Sequence, residues 1–138
     1  MKAALIEQYG GPEVFKIAEV NQPVPGPREV LIKVYAAAVN PVDWKIRKGN
    51  LKRILSKKFP KVLGIEFSGV IEETGEKARN FKKGQRVFAG RGYEGGGYAE
   101  FAIAEASRTV LIPDNVSHEE ACTMAVAGMT ALQGLRNK

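Results

Sequence analysis

The sequence predicts a mainly β protein of the α+β class, with a short helix near residues 41–48 and a C-terminal helix near 117–135. Three observations carry that expectation. Short runs of β-branched, aromatic and alternating apolar residues recur along the chain. Fifteen Gly and seven Pro are spread between those runs, which suits many turns between short strands rather than a helix bundle. Near the C-terminal end, Ser117 with Glu120 three residues on forms a capping box ahead of small and apolar residues.

In order, residues 1–8 read as a strand, Tyr9-Gly10-Gly11-Pro12 as a turn, and 13–20 as a second strand and hairpin partner of the first. Three prolines and a glycine between residues 23 and 27 give a stiff, extended connection, too short to be a domain linker. Residues 29–39 (EVLIKVYAAAV) are broken only by Lys33 and predict a mostly buried strand. It ends at Asn40-Pro41: Pro lacks an N–H for a ladder and has a helical φ, so it suits the first turn of a helix, with Asn40 at the N-cap. Asn40 therefore sits at a strand-to-helix corner, where it either only caps the helix or faces a cleft and belongs to a site.

Residues 50–61 make a loop or a short helical turn, with Leu51, Ile54 and Leu55 on one face and Pro60 ending it. In the apolar run that follows, Glu66 stands alone between Ile65 and Phe67, and Glu72, Glu73 and Gly75 mark the exit to solvent. A carboxylate in such a run is expensive to bury unless it is paired or hydrogen-bonded, so Glu66 either holds the structure together or serves a site. Residues 76–84 are a polar loop, 85–89 a short strand, 98–104 and 108–112 two more strands. The glycine-rich stretch 90–97 lies between strands, whereas a phosphate cradle needs a helix behind its glycines, so a flexible turn is expected there. The helix over 117–135 is expected to be mostly buried. Gly128 costs it about 1 kcal/mol against Ala, which close approach by another group would explain.

At 138 residues, the chain reads as one domain spanning 1–138. With 44% hydrophobic and 26% charged residues, no apolar run of membrane-spanning length and no signal-peptide core, it reads as globular, soluble and cytoplasmic. Cys122 is the sole cysteine and can form neither an internal disulfide nor, by itself, a zinc site. The net charge of +6 comes with a basic cluster of Lys45, Arg47, Lys48, Lys52, Arg53, Lys57, Lys58 and Lys61. Aromatic residues are not interleaved through it, since Trp44 and Phe59 only flank it, so it reads as a solvated face able to steer an anionic ligand. Neither nucleic acid nor membrane is expected as a partner.

The ordered stretches MKAALIEQYGGPEVFKIAEV, VLIKVYAAAVNPVDWKIRKG, FPKVLGIEFSGVI, KKGQRVFAG, GGYAEFAIA and IPDNVSHEEACTMAVAGMTALQGL resemble, over essentially the whole chain, the medium-chain dehydrogenase/reductases, and within them the zinc-free quinone oxidoreductase branch. That resemblance implies a GroES-like irregular β-barrel forming one wall of an active-site cleft, with a Rossmann domain as the other wall. It implies that Asn40 and Thr130 lie beside the nicotinamide ring and its ribose, and that NADPH is the cofactor of the complete enzyme. The zinc-dependent branch places a Cys ligand where this chain has Asn40, a hydroxyl relay at Val42, a His ligand at Ile65 and a further ligand near Val126. None of these can be the strong ligand required, and the structural-zinc lobe is missing, so no metal is expected. Asp43 and Glu66 are then expected to hold the corner. A tyrosine common in bacterial relatives is Leu51 here, which leaves Lys45, Arg47, Tyr93 or a water to supply the substrate-side hydrogen bond. The catalytic residues are not assigned.

The strand, glycine-rich turn and helix that bind a dinucleotide are absent from these 138 residues, so the chain alone is expected to be inactive. The expected function is the N-terminal domain of a zinc-independent NADPH-dependent enzyme transferring hydride to a quinone or an α,β-unsaturated carbonyl. The missing Rossmann domain is its partner, and dimers form in the family through that half. The alternative is a non-catalytic binding or assembly module built on the same barrel.

Overall fold

A computed structural model describes residues 1–55 and 58–136. Strands β1 (Lys2–Ile6) and β2 (Phe15–Glu19) form the expected antiparallel hairpin, and β4 (Lys61–Val62) pairs with the other edge of β1. The larger sheet contains β3 (Glu29–Ala37), β5 (Glu66–Thr74), β6 (Arg86–Gly90), β7 (Phe101–Glu105) and β8 (Thr109–Leu111), in the order β7-β3-β5-β6-β8 and antiparallel throughout. The Ala3–Ala99 bridge and the Ala4 N–H to Tyr98 O bond (2.8 Å) stitch the two sheets together.

Alternate residues of four strands make the main core: Val30 and Ile32 from β3, Phe67 and Ile71 from β5, Val87 and Ala89 from β6, and Ala102 and Ala104 from β7. This is the period-two geometry of a strand with one face turned inward. Gly69 pairs with Val34 of β3, next to a register shift; a Cβ there would sit 1.9 Å from the Lys33 carbonyl oxygen, so only glycine permits that approach. β5 runs on to Thr74, past the expected exit at Glu72 and Glu73, because β3 supplies ladder partners that far. β7 begins at Phe101 rather than Tyr98, which is diverted into the bridge with β1.

Helix α1 (Pro41–Arg47) follows β3 directly, with Pro41 in its first turn as expected. Residues 51–54 form turns rather than a helix, and residues 56 and 57 of the expected loop lie outside the described residues. Residues 90–95 do carry a G-x-G-x-x-G spacing, at Gly90, Gly92 and Gly95, yet they join β6 to β7 through a three-residue 3-10 turn (Gly92–Glu94). No helix stands behind the glycines, so the loop lacks the dipole and N–H array of a phosphate cradle.

The C-terminal helix departs furthest from expectation. Ser117 caps α2 (His118–Ala121) with the full capping box, but a π-helical segment (Met124–Gly128) intervenes before α3 (Met129–Arg136). The helix is not mostly buried. Ala121 and Cys122 are, whereas no residue of α3 is, and Met124, Met129, Leu132 and Leu135 are exposed. Small and apolar composition signals a face that wants covering; among the described residues no element packs over it. Ser68 donates to the His118 carbonyl at 2.7 Å, and Arg86 to that of Val116 at 2.6 Å, fixing the start of this region to the large sheet. Among the described residues, no helix is long and apolar enough to cross a membrane.

Candidate functional site

The corner at Asn40 is built from two buried acids. Asp43, 3% exposed, accepts the Asn40 backbone N–H at 2.8 Å with one oxygen and the Gly64 N–H at 3.2 Å with the other. Asn40 occupies the N-cap position, and the acid in the first turn secures the chain entering the helix. Gly64 has φ +89, and a Cβ there would lie 2.5 Å from the Tyr98 ring, so both conformation and space require glycine at the point that meets Asp43.

Glu66 is 1% exposed and uses both oxygens. Oε1 accepts the Asn40 side-chain amide at 2.8 Å, and Oε2 accepts the Val126 N–H at 2.6 Å. Carboxylate oxygens accept, so Asn40 must present its NH2 group, which sets the orientation of its amide. The Val126 N–H lies in the π segment, where the regular helical pairing is interrupted and a donor becomes available to a side chain. Thr130 in turn donates its hydroxyl to the Val126 carbonyl at 2.7 Å. The two residues singled out for cofactor contact are thus the ends of one hydrogen-bonded path, from Asn40 through Glu66 and Val126 to Thr130. Asn40 is half-buried, whereas Thr130 is exposed.

The corner's other side is apolar. Ile65 is buried in a second core with Ile6, Val14, Ile46 and Leu63, and Val42, Val126 and Leu51 pack against that cluster. Three of the four positions where the zinc-dependent branch would place a relay or ligands, Val42, Ile65 and Val126, therefore hold aliphatic side chains gathered at this second core. A zinc ion does not fit a donor set of that chemistry. Among the described residues, no cluster of three or more His, Cys, Asp and Glu could hold a metal.

The structure separates the remaining candidates. Arg47 is buried and donates to the Gly10 carbonyl at 3.1 Å, with its guanidinium 5.9 Å from the Phe15 ring, so it braces the first turn rather than reaching a substrate. Lys45 is exposed beside Trp44, and Tyr93 is exposed in the 3-10 turn, where it lines a broad open groove with Leu63, Arg91 and Arg108. Leu51 belongs to the second core, so the aliphatic residue at that position serves packing.

Tyr98 was not legible as a site residue in the sequence. It is half-buried, with its hydroxyl 3.4 Å from the Ala38 carbonyl. Burial first, and then the Asp43 and Glu66 carboxylates, raise its pKa well above the ordinary tyrosine range. The available signal was an aromatic residue directly after the glycine-rich loop; its approach to Asp43 depends on how the sheets close. Cys122 is buried, and its thiol pKa is raised by burial and by the neighbouring Glu66 and Glu119 carboxylates, which makes it a poor nucleophile.

Comparison with known proteins converges on one description. Residues 26–114 match the alcohol dehydrogenase GroES-like domain. The chain is 42% identical over 140 residues to the chloroplast envelope quinone oxidoreductase homolog of Arabidopsis thaliana, covering 99% of this chain and 42% of that protein. It superimposes on Escherichia coli quinone oxidoreductase, solved in complex with NADPH, with a TM-score of 0.89 at 26% identity, covering 99% of this chain and 40% of that one. A mycobacterial protein solved with NADPH gives a TM-score of 0.88 at 35% identity, with 99% and 41% coverage. The chain spans about two fifths of the length of the relatives it matches.

Proposed function

The chain belongs to the alcohol dehydrogenase GroES-like family, among its quinone oxidoreductase-like members, and from that premise we propose that it forms one wall of the active-site cleft of an NADPH-dependent, zinc-independent reductase acting on quinones or α,β-unsaturated carbonyls. The observation that carries this reading is the path from Asn40 through Glu66 and Val126 to Thr130. Two polar side chains on separate elements are linked through one buried carboxylate. Such an arrangement holds a ligand in a set orientation, the main contribution a site without a metal can make to hydride transfer.

NADPH supplies the hydride when bound. In this chain Asn40 and Thr130 hold the nicotinamide ring and its ribose, and Glu66 acts through Asn40 as a positioning residue. Ile65, Val42 and Val126 keep the corner's apolar side free of water. Negative charge developing on the acceptor oxygen is met by hydrogen bonds rather than by a Lewis acid, with Lys45 and Tyr93 as the available protein donors. The exposed apolar residues of the π segment and α3 pack against a dinucleotide-binding unit, and without that unit the chain binds NADPH weakly and turns nothing over.

NADPH oxidation at 340 nm, with a quinone and with an enone as acceptors, tests this in two preparations: the chain alone, and the chain joined to a dinucleotide-binding domain. Turnover by the joined protein that survives a chelator, is absent from the chain alone, and suffers a raised KM for NADPH in Asn40→Ala and Thr130→Ala is the expected result. Loss of activity to the chelator, or a joined protein inert toward both acceptor classes, overturns the reading.

A further inference from the structure

The charge of this protein is unevenly placed. Between Asp43 and Glu66 there are eight Lys and Arg and no acid, while the rest of the chain has thirteen cations against fifteen acids, a net −2. The whole excess of positive charge therefore lies between residues 44 and 65. Lys48, Lys52 and Arg53 from this stretch are exposed. Sequence alone suggested no more than a solvated basic face, because the apolar residues beside it had no known position.

The structure supplies that position. Val42 and Trp44 are two residues apart on α1, about 200° around the helix, so with Val42 packed against the second core Trp44 is turned outward. Trp44 is 41% exposed, and the ammonium groups of Lys45 and Lys48 stand 5.7 Å and 5.4 Å from its ring. Trp44 also shares one shallow apolar concavity with Phe15 and Val39, which are 36% and 79% exposed. Three exposed apolar side chains from three different segments thus meet on one patch, with cations at its edge.

This combination fits one kind of partner. Trp and Phe sit well at the headgroup level of a bilayer, where a flat apolar ring and a polar edge are both accommodated, and nearby Lys and Arg are attracted to anionic lipid. A nucleic acid would match the cations but has no use for an exposed valine beside the tryptophan. We propose that the patch of Phe15, Val39 and Trp44, with Lys48 at its edge and the exposed Lys52 and Arg53 of the same basic stretch adding charge, binds the headgroup region of a bilayer containing anionic lipid. The attachment is peripheral, driven by charge and completed by shallow entry of Trp44. It is independent of the reductase reading and replaces the expectation that no membrane is a partner.

Trp44 is the single tryptophan of the chain, so its emission reports this patch alone. The experiment is co-sedimentation with phosphatidylcholine vesicles, with and without phosphatidylserine, at low and high salt, while recording tryptophan emission. Binding to the phosphatidylserine vesicles only, weakened by salt and accompanied by a blue shift, is expected. Each neutralised cation lowers partitioning about fivefold, so Lys48→Gln, Lys52→Gln and Arg53→Gln together lower it about a hundredfold. The matching change at Lys77, Arg79 and Lys82 leaves it unaltered, and circular dichroism confirms that both variants are folded. No binding at low salt overturns the proposal. So does binding without a blue shift, or equal retention on double-stranded DNA, since either would mean general attraction to polyanions.

Discussion

Asn40 and Glu66 are joined by a 2.8 Å hydrogen bond from Asn40 Nδ2 to Glu66 Oε1, and the other Glu66 oxygen reaches Val126 at 2.6 Å, sixty residues further along the chain. One buried carboxylate thereby ties the end of β3 to the π segment. Glu66→Gln keeps the shape but turns an NH2 group toward one of the two donors. A buried donor left facing another donor costs roughly 1–3 kcal/mol, and chemical denaturation should show a loss of that size. Combined with Asn40→Ala, the two losses should not add, because both remove the same bond.

Gly69 and Gly84 make a matched pair for testing backbone constraint. A Cβ at Gly69 would collide with the Lys33 carbonyl at 1.9 Å, whereas at Gly84, with φ +89, nothing lies within 4 Å. Gly69→Ala must push β5 away from β3 and should cost about 3 kcal/mol. Gly84→Ala meets only the unfavourable φ and should cost about 1 kcal/mol. Thermal unfolding of the two variants should rank them in that order.

His118, the one histidine, stacks on Tyr35 with ring centroids 4.8 Å apart, and its buried Nδ1 has no hydrogen-bond partner among the described residues. Burial, then the nearby Arg86, lowers its pKa. The unfolded chain takes up the proton more readily than the folded one, so stability falls as pH drops through the ordinary histidine value near 6.5 and toward the lower folded value. Urea midpoints measured between about pH 8 and pH 5 should decline, and His118→Phe, which keeps the stack, should flatten the decline.

Tyr98 works in the opposite direction. Its folded pKa is raised, so the unfolded chain loses the phenolic proton first, and stability falls as pH rises above the ordinary value near 10. Ultraviolet difference titration should show a phenol ionising only beyond that range. Tyr98→Phe should abolish the late phase and reduce the alkaline loss of stability.

Much of this was readable in advance, for a physical reason. Strand alternation, the proline that ends β3, and the Ser117–Glu120 box are interactions among residues a few positions apart, so composition and spacing carry them. Side-chain chemistry is equally local: isoleucine at 65 cannot be a metal ligand in any fold, and an acid between Ile65 and Phe67 must find partners or be expelled. Which partners it finds is not local. Glu66 meets Asn40 across twenty-six residues and Val126 across sixty, and both meetings depend on β3 and β5 pairing and on the helical region docking against the large sheet through Ser68 and Arg86. The same closure buries Arg47, which its charge had marked for solvent, and leaves α3 exposed, which its composition had marked for burial. The sequence by itself determined the elements, the corner at Asn40 and the need to satisfy a buried acid. Only the tertiary structure decided which groups satisfy it and which faces stay open, because the side-chain pattern records how much each residue gains from burial but not which distant segment is there to provide it.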